Sequence, residues 1–141
     1  MEKIVFANYG AGKQGKSSSV KEVYNLLNSK YKAKLLIGGA DVKATVQING
    51  VLVGIESQGD PYSRMFQSMD DFVKMGCEII VCACRSSGST RRKVESLANM
   101  GYQVVWTRND RTDISTLHPY LNMAFARRIE DLINDRIAGV F

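Results

Sequence analysis

The eight residues Gly10 to Ser17, Gly-Ala-Gly-Lys-Gln-Gly-Lys-Ser, constrain this chain more than any others. They spell G-x-x-x-x-G-K-[ST], with a short apolar segment before them and an amphipathic segment after. Glycines allow the backbone to curl so that successive N–H groups point inward at an anion. The N-terminus of a following helix would add its partial positive charge at the same point. Lys16 contributes a full charge, and the Ser17 hydroxyl is a hard oxygen donor of the kind Mg²⁺ takes. A loop of this kind needs a strand leading in and a helix leading out.

The rest of the chain continues that alternation. Lys3 to Ala7 reads as a strand, and Ser17 to Lys30 as a helix whose Val20, Val23, Tyr24, Leu27 and Tyr31 share one face. Lys34 to Ile37 reads as a second strand. Val42 to Ile48 and Val51 to Ser57 flank Asn49-Gly50, the dipeptide suited to a type I′ hairpin turn. Asp60-Pro61 has the form of an N-cap followed by a first helical residue, which predicts a helix stopping at Gly76. Glu78 to Cys84 is a continuous apolar run, as in a strand buried on both faces. A helix over Ser89 to Met100, a strand over Tyr102 to Trp106 and a helix over Pro119 to Ile137 complete the pattern. The expected architecture is α/β, a three-layer sandwich: a mostly parallel sheet with helices on both faces and one β-hairpin. Residues 1–141 are expected to form a single domain.

The Gly10 to Ser17 motif in its strand–loop–helix setting resembles the P-loop NTPase superfamily. The likeness is superfamily-wide, and more kinase-like than GTPase-like. It implies that Gly10, Ala11, Gly12, Lys13, Gln14, Gly15, Lys16, Ser17 and Ser18 hold the phosphates of ATP or GTP. It further implies that Lys16 contacts the phosphates and Ser17 coordinates Mg²⁺. Lys13 either faces phosphate or is a solvated loop charge. A hairpin leading into Glu56-Ser57-Gln58-Gly59 is similar to the small-GTPase arrangement that ends in D-x-x-G. The guanine-reading N-K-x-D is not found; Thr107-Arg108-Asn109-Asp110 stands after the last strand.

A phosphoryl-transfer site also needs an acidic residue near the metal. Glu56, at the end of Val-Leu-Val-Gly-Ile-Glu, is the first candidate for both a metal-associated and a catalytic role. Asp60 reads as the helix cap, and Asp41 as a third option. Ligands of open α/β sheets lie outside the C-terminal strand ends. Arg85 and Arg91 fall in one loop there and Arg108 in another, where guanidinium forks suit phosphoryl groups. Together with Lys16 and Glu56 these three are the candidate catalytic residues. His118 reads as structural, and Trp106 as core or pocket wall. Cys82 and Cys84 lack further ligands at a zinc spacing.

The expected function is a small kinase moving the γ-phosphoryl of ATP to a small acceptor such as a nucleotide or metabolite. The alternative is a nucleotide-dependent switch or NTPase acting on a protein or nucleic-acid partner. The net charge of +5, from 19 Lys+Arg and 14 Asp+Glu, suits an anionic ligand. No aromatic-interleaved basic tract argues for a nucleic-acid reader, although such a partner stays open. No apolar run approaches the ~18 residues of a membrane helix. Three cysteines, two of them in an apolar run, fit reduced thiols in the cytoplasm.

Overall fold

The structure is a computed structural model describing residues 1–10 and 15–141; Ala11, Gly12, Lys13 and Gln14 lie outside the described residues. The described residues form six strands: β1 Lys3–Tyr9, β2 Lys34–Ile37, β3 Lys43–Ile48, β4 Val51–Glu56, β5 Ile79–Cys84 and β6 Tyr102–Thr107. Four α-helices accompany them: α1 Lys16–Tyr31, α2 Met65–Met75, α3 Ser89–Ser96 and α4 His118–Ile137.

The strands join in one sheet, ordered β2-β3-β4-β5-β1-β6. The β4–β5, β5–β1 and β1–β6 pairs are parallel, and β3 runs antiparallel to both its neighbours. Alternate residues feed two apolar layers, because successive side chains of a strand point to opposite faces. Ile4, Phe6, Val81 and Ala83 pack with Val20, Val23 and Leu27 of α1 and Phe125, Ile129 and Ile133 of α4. Val5, Ala7, Ile80, Cys82 and Cys84 pack with Met65, Met69 and Phe72 of α2 and Val94 of α3. The protein is thus α/β, with a mostly parallel sheet covered on both faces.

The hairpin forms as expected. Asn49 and Gly50 take φ values of 49° and 81°, joining the Ile48–Val51 pair in two residues. β1 runs two residues further than expected, through Asn8 and Tyr9. The third helix gives way to a 3-10 turn over Leu97–Met100 before Gly101.

The second helix corrects the capping expectation. It starts at Met65, with Arg64 at the N-cap position, and Asp60-Pro61 lies in the loop before it. The Asp60 carboxylate meets Lys16 and Arg85 instead of a helix amide.

Cys77, Cys82 and Cys84 are free and buried, and burial pushes the Cys77 thiol up to about 12. Among the described residues no cluster of metal-binding side chains forms, and no helix is long and apolar enough to cross a membrane.

Where β4 crosses under α2, a Cβ on Gly54 would lie 2.7 Å from Cγ of the buried Phe72 ring. Gly54→Ala should therefore lower the stability by about 1–3 kcal/mol, read as a reduced urea midpoint at unchanged slope.

Candidate functional site

Neighbouring strands β1 and β5 send their chains to opposite faces of the sheet. β1 leads to α1, which shares its layer with α4, whereas β5 leads to α3 on the other face. Such divergence opens a crevice beyond the strand ends, where open α/β sheets bind ligands. Gly10 crosses its rim, donating its N–H to the Cys84 carbonyl at 3.2 Å.

α1 begins directly at this crevice. Its N-cap, Gly15, is left-handed at φ 75° and supplies no side-chain cap to the first turn. Lys16 and Ser17 are therefore the first two helical residues, at the end carrying the helix's partial positive charge. Both reach the β4–α2 loop. Lys16 Nζ lies 3.3 Å from Asp60 Oδ1, and Ser17 Oγ donates to the Ser57 carbonyl at 2.7 Å. Ser57 Oγ in turn donates to Asp41 Oδ1 at 2.9 Å and accepts from the Val42 N–H at 2.8 Å.

The loop reaches α1 by crossing the end of β5. β4 is two places from β1 in the sheet, or about 10 Å. The crossing point is Gly59, pressed so close to β5 that a Cβ there would lie 2.5 Å from the Ala83 carbonyl carbon. Only a residue without a side chain lets the chain pass low enough for Asp60 to meet Lys16.

The two carboxylates occupy places opposite to those expected. Glu56 is fully buried, and four donors meet its oxygens: Arg64 Nε at 2.8 Å, Arg64 Nη2 at 3.2 Å, Ser68 Oγ at 2.5 Å and the Gln58 N–H at 3.0 Å. So engaged, it anchors the loop and offers no free oxygen to a metal or a water. Asp60, read from sequence as a cap, has its side chain 59% exposed and faces Lys16 and Arg85. Partial burial pushes its carboxyl up, but the Lys16 charge and the Arg85 hydrogen bond outweigh this and hold it below the ordinary 3.8.

The three arginines fall into two groups. Arg85 Nε donates to Asp60 Oδ1 at 3.1 Å, on the β4–β5 side. Arg91 lies over the Trp106 ring at 4.1 Å, and Arg108 lies 5.7 Å from the Tyr9 ring, on the β1–β6 side. Tyr9, beyond the expected end of β1, was not a sequence candidate, and alternation along a strand two residues longer would have found it.

On the α4 side lies a cleft of about 380 Å³, lined by Gly15 of the first motif, the following Ser18, residues 109–113, His118, Leu121 and Asn122. The Asn109 amide donates to Ser19 Oγ at 2.7 Å and to Asn122 Oδ1 at 2.9 Å, tying α1 to the segment after β6. No spacing in the sequence joins these three residues. His118 Nε2 stands 2.8 Å from the Thr112 carbonyl and steadies the same segment.

No protein-family model, curated protein or solved structure matches the chain.

Removing the Glu56 carboxylate should strand Arg64 and Ser68. Glu56→Ala is expected to cost about 3 kcal/mol, checked by chemical denaturation. Asp60 should behave differently. Since its folded value is depressed, the pairing is present above 3.8 and fades only as pH falls through the lower folded value. A carboxyl-carbon NMR titration should place its midpoint below 3.8, and Gly59→Ala should return it to the ordinary range.

Proposed function

We propose that the chain is a Mg²⁺-dependent P-loop phosphotransferase that binds ATP, with GTP as the alternative nucleotide, and transfers its γ-phosphoryl to a small acceptor. The observation that carries this reading is the meeting of Lys16, Ser17, Asp60 and Arg85 at the β1–β5 crevice, beside a cleft of nucleoside size.

Each residue has a definite task in this reading. Gly10, Gly15 and Ser18 bound the phosphate path. Lys16 and the first-turn amides of α1 neutralise phosphate oxygens. Arg85 carries a second fork that can turn from Asp60 to a phosphoryl oxygen. The Asn109–Ser19–Asn122 network fixes the cleft in which the nucleoside would lie. With the groups held so, catalysis is positioning and charge neutralisation.

The oxygen donors fit Mg²⁺, a hard cation that keeps several waters and takes few protein ligands. The Ser17 hydroxyl would hold it, with Asp60 placed to act through its water. Mg²⁺ supplies neutralisation of the phosphate charge. Glu56 supports the arrangement through Arg64 and Gln58 as the anchor of the loop.

A second reading, a nucleotide-dependent switch or NTPase, draws on one observation. Lys16 and Ser17 both touch the Ser57–Asp60 segment, so a phosphate at Lys16 would compete with that loop.

One experiment tests both readings. The protein is incubated with γ-labelled ATP, Mg²⁺ and a pool of nucleosides, nucleotides and metabolites. Label moving to an acceptor faster than to water is the expected result, and label appearing only as free phosphate would favour the switch. Lys16→Ala should weaken ATP binding about 10- to 100-fold, because it removes a charge-assisted contact. Equal behaviour of this variant and the wild type would sink nucleotide binding at this loop.

A further inference from the structure

The β1–β6 side of the crevice carries a second constellation that the nucleotide site leaves unused. Tyr9 and Trp106 are partly buried and meet edge to face, with ring centroids 6.3 Å apart and planes at 86°. Both project toward the α2–α3 layer at the C-terminal ends of their strands. Two guanidinium groups approach the same Tyr9 ring, Arg91 at 5.9 Å and Arg108 at 5.7 Å. Among the described residues, Arg108 has no carboxylate within ion-pair reach. Arg91 has only Glu95, at 3.9 Å and half exposed.

This arrangement concentrates like charge. Two cations drawn to one ring repel each other, and the ring quadrupole offsets only part of that cost. An anion between them would remove it. Tyr9, Arg108, Arg111 and Lys16 line one slit, too narrow to admit a water molecule. Asn8 lines that slit, buried, and among the described residues its Oδ1 accepts no hydrogen bond. The chemistry on offer is therefore π faces and guanidinium forks, on the same crevice rim as the phosphate lysine.

We propose that Tyr9, Trp106, Arg91 and Arg108 form the acceptor site, and that the acceptor is a nucleoside monophosphate. The aromatic rings and forks receive the base, and Arg108 and Arg111 the phosphate. The proposal rests on the phosphotransferase reading. In the reaction an acceptor phosphate oxygen forms a bond to the γ-phosphorus of ATP, and the bond from that phosphorus to the β–γ bridging oxygen breaks. The products are a nucleoside diphosphate and ADP. The attacking oxygen is already ionised at neutral pH, so no proton has to be removed from it.

Trp106 is the single tryptophan, so its emission reports on this site alone. The full chain is titrated with AMP, GMP, CMP and UMP, and separately with the nucleosides and inorganic phosphate. At least one monophosphate should give a saturable change, about tenfold tighter than either of its parts. The change should persist with ADP·Mg²⁺ at saturation, and Arg108→Ala, an exposed position, should weaken it about tenfold. Displacement by ADP would put the monophosphate in the phosphate loop and overturn the proposal. So would an Arg108→Ala variant that titrates like the wild type. A short single-stranded oligonucleotide binding more than about tenfold tighter than any monophosphate would replace the acceptor with a nucleic-acid partner. Phosphoryl transfer that Arg108→Ala leaves untouched would overturn this site alone. Arg108-dependent binding without any transfer from ATP would overturn the acceptor role and the kinase reading together.

Discussion

Burial of β1 and β5 on both faces is the constraint from which the arrangement follows. Every residue from Ile4 to Asn8 and from Ile79 to Cys84 is buried, so each strand needs a helical layer above and below. α1 and α4 supply one layer, α2 and α3 the other. β1 and β6 lead to the helices of one layer and β4 and β5 to those of the other, so the chains part between β1 and β5. The crevice is a by-product of covering apolar surface, and it opens before any chemistry is placed in it. Lys16, Asp60, Arg85 and Arg108 stand around that one opening because each follows the C-terminal end of a different parallel strand.

The carboxylates Glu56 and Asp60 show how environment divides tasks between groups of like charge. A fully buried carboxylate is tolerable only with donors at its oxygens, and Glu56 is met by four. That engagement makes it costly to disturb and unavailable for exchange. Asp60 remains more than half exposed, so its pairing with Lys16 is screened. Lys16 is itself buried, and Asp60 is its solvated partner. The rigid carboxylate fixes the loop, and the solvated one at its tip is free to respond to a ligand.

What could be read from the sequence was local. The apolar run Glu78 to Cys84, the Asn49-Gly50 turn and the stops at Gly76 and Gly101 each declare themselves within a few residues, through side-chain period or backbone conformation. The sheet order was not legible, because nothing local tells β5 to insert between β4 and β1. Asp60-Pro61 carries a sound local capping signal, yet the partner that prevails is Lys16, 44 residues away. The surroundings of Glu56 were hidden for the same kind of reason. Strand-end position was visible, whereas the Arg64 and Ser68 donors that occupy Glu56 become its neighbours only when α2 packs. The motif residues Lys16 and Ser17 were legible, and their contacts with Asp60 and Ser57 were not.

The arginines extend this argument from carboxylates to cations. Arg85 is neutralised by Asp60, while Arg91 and Arg108 lie over aromatic rings. A guanidinium stacked on a ring uses its face and keeps the in-plane N–H edge for oxygen acceptors. Ring contact also leaves the formal charge in place, which a carboxylate does not. The crevice is consequently asymmetric, with a carboxylate at the β4–β5 side and, at the β1–β6 side, Arg108, which has no carboxylate partner among the described residues. A metal or a water is favoured toward Asp60, and a second anion toward Arg108. Lys16 stands between the two, touching Asp60 on one side and lining the Arg108 crevice on the other. Such a gradient would give the phosphate chain of the proposed nucleotide a direction, and it arises from which partner each long cation meets when the strands come together.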